Sequence, residues 1–139
     1  MRRILVDTGP LVAILSGQDE HHLSCVAALK EMPGPLLTCW PVITEAAWLL
    51  RRSPRAIQQL LASMDSGLIE ILPLAGSEAK SVSAIMKRYE SIVPQLADAA
   101  LVYLAGRERI EMIFTLDRRD FSIYRGARRR AFRLLPETN

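Results

Sequence analysis

A chain of 139 residues fits one domain, expected to span 1–139, with a core of useful size. Hydrophobic residues make up 50% and charged residues 24%, which excludes a disordered profile, and a net charge of +3 leans mildly toward an acidic partner. No uninterrupted apolar stretch approaches the roughly 18 to 20 residues that a membrane span requires, so no membrane association is expected. In chain order, "ILV" at 4–6 reads as a short buried strand. Its apolar run lasts three residues before Asp7 interrupts it, so "MRRILVDTG" does not read as a targeting segment and a cytoplasmic protein is expected. Gly9 and Pro10 open a helix to about Ser16. A second helix is expected over 20–31, begun by Asp19 and stopped by Pro-Gly-Pro at 33–35.

"LLTCW" at 36–40 gives the second strand; Pro41 opens a helix through Arg52, and Pro54 another through about Met64, with Gly67 just beyond. "LIEIL" at 68–72 is the third strand, 76–90 is helical, and Pro94 separates it from a helix containing Asp98. "EMIFTL" at 111–116 and "AFRLL" at 131–135 are the fourth and fifth strands. Strands separated by helices predict an α/β fold, a mainly parallel sheet of about five strands with helices on both faces. Ligands of such sheets bind beyond the carboxyl ends of the strands, near a switch in strand order. Cys25 and Cys39 have no CxxC spacing and read as reduced, buried thiols.

Four carboxylates draw attention. Asp7 directly follows the first strand and Asp117 follows the fourth. Glu45 lies one turn into the third helix, on a face with Val42, Trp48 and Leu49 that reads as packed surface. Asp98 stands in "PQLADAALVYLA", on a face with Leu101, Val102 and Ala105. Each has an ordinary alternative. Asp7 suits a helix cap, Glu45 a first-turn dipole partner, Asp98 the cap of a helix starting one residue later, and Asp117 with Asp120 a turn paired to arginines. Gathered at one strand edge, however, they would repel one another and raise each other's pKa, and bound cations would relieve that. Oxygen ligands without histidine or cysteine suit Mg²⁺ or Mn²⁺ rather than zinc.

"ILVDTGPLVAIL", "VITEAAWLL", "PQLADAALVYLA" and "IFTLDRRDF" resemble, in order and placement, the acidic motifs of the PIN-domain ribonucleases, most closely the VapC-type toxins of toxin–antitoxin pairs. The resemblance implies a three-layer α/β/α PIN-like domain and a metal-dependent endoribonuclease that hydrolyses RNA phosphodiester bonds. Asp7, Glu45 and Asp98 match the family's acids, Asp117 resembles its more variable fourth, and Asp120 is the alternative in a supporting place. Thr8 and Thr115 match supporting hydroxyls. It also implies Mg²⁺, with Mn²⁺ as a substitute, a cognate antitoxin partner and a homodimer.

Arg118, Arg119, Arg125, Arg128, Arg129 and Arg130 cluster after the fourth acid and suit RNA phosphates, or else an acidic partner segment. His21 and His22 read as a solvated helix start rather than metal ligands, and Trp40, Trp48 and Tyr103 as core rather than base-stacking platforms. No GxSxG, Walker or GxGxxG pattern is present. Two rivals remain at this level. One is a Mg²⁺-dependent phosphatase, weakened because "DTG" lacks a second aspartate two residues on. The other is a PIN-like module that binds RNA or protein without cleaving.

Overall fold

The computed structural model describes residues 2–137. Strand β1 (Ile4–Val6) leads to helices α1 (Thr8–Leu15) and α2 (His22–Lys30), then to β2 (Leu36–Thr38). Helices α3 (Trp40–Leu49) and α4 (Pro54–Asp65) precede β3 (Ile69–Ile71). Helices α5 (Ala79–Arg88) and α6 (Leu96–Glu108) carry the chain to β4 (Met112–Phe114), and the short α7 (Arg118–Phe121) to β5 (Arg133–Leu135).

The five strands pair in the order β3-β2-β1-β4-β5, all parallel. The sheet grows from β1 toward β3, then reverses, and the switch in direction lies between β1 and β4. Right-handed crossovers therefore set α1 to α4 against one face and α5 with α6 against the other. This is the expected α/β architecture. Three-residue strands buried throughout, such as "ILV" and "LLT", are those of a sheet covered on both sides.

The local boundaries follow identifiable chemistry. The Asp19 carboxylate accepts from the His21 amide at 2.8 Å, and α2 begins at His22 rather than at residue 20. Helix α3 ends at Leu49, three residues before Arg52, because Ser53 caps α4 by accepting from the Ala56 amide and Pro54 fixes its first turn. Gly67 supplies the positive φ of +88° just past α4. Residues 76–90 are helical but divided: a 3-10 turn at Gly76–Glu78 precedes α5 and another follows it at Glu90–Ile92.

The core runs along the sheet and α6, whose Leu101, Val102, Leu104 and Ala105 are all buried. Cys25 and Cys39 are free and buried, as the sequence suggested. Trp40 and Trp48 are corrected: they are 56% and 63% exposed. Both lie on the outer stripe of α3, Trp48 with the Arg51 guanidinium 4.1 Å above its ring. Tyr103 is half-buried, and its hydroxyl donates to Glu78. His21 is exposed at the start of α2, and His22 Nδ1 meets the Ala13 carbonyl at 2.7 Å, away from the carboxylates described below. No helix among the described residues is long and apolar enough to cross a membrane.

Candidate metal centre

Because strand order reverses between β1 and β4, their carboxyl ends splay two chain segments around a crevice. Asp7 leaves β1 there, tied into the sheet by its amide's 2.9 Å bond to the Phe114 carbonyl. Thr115 and Asp117 leave β4 beside it. Helix α3 contributes Glu45 and the first turn of α6 contributes Asp98. Asp7, Glu45, Asp98, Asp117 and Asp120 line one open cleft of about 450 Å³, together with Thr8 and Gln95. Residues up to 113 positions apart in the chain thus meet, as the joint reading of the carboxylates required.

Asp7 is 7% exposed and sits at the position of a cap for α1, but its side chain makes no capping bond. Instead its Oδ2 accepts from Thr115 Oγ1 at 2.8 Å, and that hydroxyl in turn accepts from the Asp117 amide at 3.0 Å. One buried threonine therefore fixes two acids. Asp117 also caps α7, accepting from the Asp120 amide at 3.0 Å, so its turn role and its place in the cleft coexist. Asp98 is not the cap of a helix starting at 99. It is the third residue of α6, capped by Gln95, whose amide donates to Asp98 Oδ2 at 3.3 Å. That answers how so apolar a helix keeps a carboxylate: Asp98 occupies the end of the helix that opens on the cleft.

Glu45 requires a correction. Its face includes buried Val42, but Trp48 and Leu49 are exposed, so the face borders a cleft and solvent rather than packed surface. Gln95 was not foreseen. Oriented with its amide nitrogen toward Glu45, it donates to Oε1 and Oε2 at 3.1 and 3.2 Å. Its only signal in sequence is being the one polar residue just before Leu96 and Asp98. Tyr124 was also missed. Its hydroxyl is buried without a hydrogen-bond partner among the described residues, and it follows Asp120 by one turn.

The electrostatics are those of acids crowded together. Burial raises Asp7 above the ordinary carboxylate range, against the lowering bond from Thr115, with Glu45 and Asp117 adding repulsion. Asp98 is pushed up to about 7, by burial first and then by Asp7, Asp117 and Glu45. Asp120 is raised by burial and by Asp117. The ion pairs found among the described residues all lie elsewhere. Thr8 Oγ1, buried at the cleft wall, has no partner among the described residues either. A hard cation suits this set: oxygen donors only, excess negative charge, and an orphaned hydroxyl. Among the described residues no three His, Cys, Asp or Glu side chains are gathered closely enough to enclose an ion. The acids converge on the cleft without closing on a single point.

The arginine cluster is divided by the fold. Arg118 donates to the Pro136 carbonyl at 2.6 Å, Arg125 to the carbonyls of Ser122, Ile123 and Tyr124, and Arg130 pairs with Glu111 at 3.3 Å. Arg119, Arg128 and Arg129 are exposed and make no such contact among the described residues. Arg128 and Arg129 both take positive φ, 56° and 59°, in a tight loop closed where Gly126 meets the Phe132 ring. A Cβ at 126 would stand 2.7 Å from that ring.

The PIN-domain family model matches residues 4–127, a span that includes every acid of the cleft. The chain belongs to the PIN-domain family. Ribonuclease VapC26 of Mycobacterium tuberculosis is 27% identical over 135 residues, 96% of this chain and all of that protein. Among solved structures, Mycobacterium tuberculosis VapC20, described as a sarcin-ricin-loop-cleaving toxin, superposes with a TM-score of 0.73 at 19% identity, over 79% of this chain and 86% of that one. DNA-bound VapBC from Salmonella typhimurium gives 0.58 at 17% identity, over 96% and 97%. The resemblance to VapC-type PIN domains that rested on four short motifs is thereby borne out.

Proposed function

We propose that this protein is a divalent-cation-dependent endoribonuclease, the toxin of a toxin–antitoxin pair, acting from the cleft between β1 and β4. The observation that carries the reading is the convergence of Asp7, Glu45, Asp98 and Asp117 from four different elements into one acidic crevice. Its curated relative is named a ribonuclease, and its structural neighbours are VapC proteins.

Asp7 and Asp98 would be the principal ligands, Asp117 would complete the set, and Asp120 would stand behind it as support. Mg²⁺ is the favoured ion, with Mn²⁺ as a substitute. When bound, it would lower the pKa of water and offset charge on the scissile phosphate. The chain's own part is positional. Thr115 holds Asp7 and Asp117 in a fixed relation, and Thr8 offers a free hydroxyl at the wall. Glu45, steadied by Gln95, orients the attacking water so that it approaches phosphorus opposite the departing ribose oxygen. No histidine lines the cleft, and none is required as general base on this reading. Arg119, Arg128 and Arg129 hold flanking RNA phosphates, while Arg118, Arg125 and Arg130 brace the loop that presents them.

A cleft this acidic also suits an arginine from a cognate antitoxin, and the family's homodimer is carried over as part of the proposal, as are a single unit over 1–139 and a cytoplasmic location. The test is RNA incubated with Mn²⁺ or Mg²⁺, with and without EDTA, for wild type and Asp98→Asn. Metal-dependent cleavage lost in the variant supports the assignment. Full activity in Asp98→Asn contradicts it.

A further inference from the structure

An RNA strand cannot rest along the acidic cleft. Its carboxylates repel phosphate, so the nucleotides flanking a phosphate that reacts there must leave for uncharged or cationic ground. The described surface provides such ground next door. A second depression, about 400 Å³, lies between the chain after α1 and the α3–α4 turn, and Leu49 is common to both walls. Leu49 follows Glu45 by one helical turn and is 52% exposed, a large apolar side chain forming the sill between the two hollows. Beyond it the hollow is lined by half-buried Leu15, while Leu50 and Ala56 at its base are buried and expose little surface. Ser16, Gln18 and Arg52 are polar side chains of the rim, and none makes a side-chain hydrogen bond or ion pair among the described residues. Arg52 is the lining's only charged residue, opposite in sign to the cleft beyond the sill. An open hollow of this volume, with one exposed leucine at its sill and several unengaged polar side chains, has room for a nucleoside.

We propose that this depression is a nucleotide subsite: it receives the nucleoside next to the cleaved bond, its base over the exposed Leu49, with Arg52 on its outer phosphate. Gln18 and Ser16 meet the base edge. The inference rests on the ribonuclease reading for its ligand class, and it adds a place where sequence preference is set. A base-reading role for Gln18 separates this subsite from the loop arginines, which hold phosphate and carry no sequence information.

The test needs neither metal nor cleavage. Isotope-labelled wild-type protein is titrated with a short RNA in EDTA, which withholds the divalent ion that hydrolysis requires and so keeps the RNA intact, and backbone amide resonances are followed. Saturable shifts at Gly17, Gln18, Leu50 and Arg52 are expected. Arg52→Ala should weaken affinity about 5- to 10-fold. Arg55→Ala, a neighbouring surface arginine outside the depression, should change it less than 2-fold, by roughly the screening of one exposed charge. RNA binding that leaves those resonances unmoved, equal losses in the two arginine variants, or no binding at all would overturn the subsite. Loss of cleavage in Asp98→Asn is read separately, so failure of the nuclease assignment and failure of the subsite remain distinct results.

Discussion

The two ends of α6 set the same kind of side chain in opposite circumstances. In its last turn, Arg107 donates to Glu78 at 2.7 Å and to Glu108 at 2.9 Å, and Arg3 reaches Glu108 from beside β1. Hydrogen bonds from the Ala75 amide, Tyr103 and Arg107 hold Glu78 down to about 2. In the first turn, Asp98 faces other carboxylates and is pushed up to about 7. The contrast comes from burial first and from partners second: Asp98 is desolvated among other acids, whereas Glu78 stays solvated and hydrogen-bonded. A carboxylate supplied with cationic neighbours is structural. One deprived of them, in a cleft open to solvent, is a charge waiting for a counter-ion.

The largest break in that contrast is expected at the first-turn end. Asp98→Asn should lower cleavage on the order of 10²–10³-fold while leaving the circular dichroism spectrum unchanged. Removing one carboxylate that the fold holds against repulsion does not cost the fold its packing. Next comes Thr115→Val, which keeps the shape but strips Asp7 and Asp117 of their common hydroxyl. Metal affinity or activity should fall roughly 10- to 100-fold, read as the Mn²⁺ concentration giving half-maximal cleavage. An unchanged midpoint would deny Thr115 a positioning role.

Thermal unfolding sharpens the comparison further. A raised carboxyl pKa means that the folded state holds its proton longer than the unfolded chain. The Asp98 contribution is therefore present below the ordinary carboxylate pKa of 3.8 and is lost as pH rises through about 7. Metal-free Asp98→Asn should melt higher than wild type at pH 8, by roughly 5 °C, and the gap should close toward pH 4. Mn²⁺ should raise the wild type more than the variant. The smallest effect belongs to the other end of the helix. Glu78 is lowered, so its contribution exists above its ordinary value of 4.5 and fades as pH falls toward 2. Glu78→Gln should melt slightly lower at pH 7, with a gap that narrows as pH falls from 4.5 toward about 2, and should cleave RNA at the wild-type rate.

Much of this arrangement was legible in the sequence because it is carried by order. Short apolar runs ending in Asp7 and Asp117 place acids at strand ends, and the parallel α/β pattern sends strand ends to one edge. The resemblance of four motifs did the rest for Glu45 and Asp98. What resisted reading was anything that depends on which side of a helix finds neighbours. The α3 wheel puts Trp48 and Leu49 beside Glu45 correctly, but periodicity alone does not reveal that no element covers that stripe. The Gln95 bond to Glu45 joins positions 50 residues apart, and nothing in either local sequence announces it. The arginine run likewise reads as one basic patch until the fold assigns Arg118 to the Pro136 carbonyl and Arg130 to Glu111. Helix α7 escaped notice because "RRDF" is too short for periodicity to register; its cap, Asp117, was read as a site residue or a turn residue, not as a helix cap.

Calorimetric titration of Mn²⁺ into metal-free wild type and Asp98→Asn, at pH 7 in two buffers of different ionisation enthalpy, bears most directly on the acids sharing one cation site. Wild type should bind saturably and release protons, because the ion drives Asp98 to its charged form, and the variant should bind at least about tenfold more weakly with less proton release. Superimposable isotherms for the two proteins would contradict it.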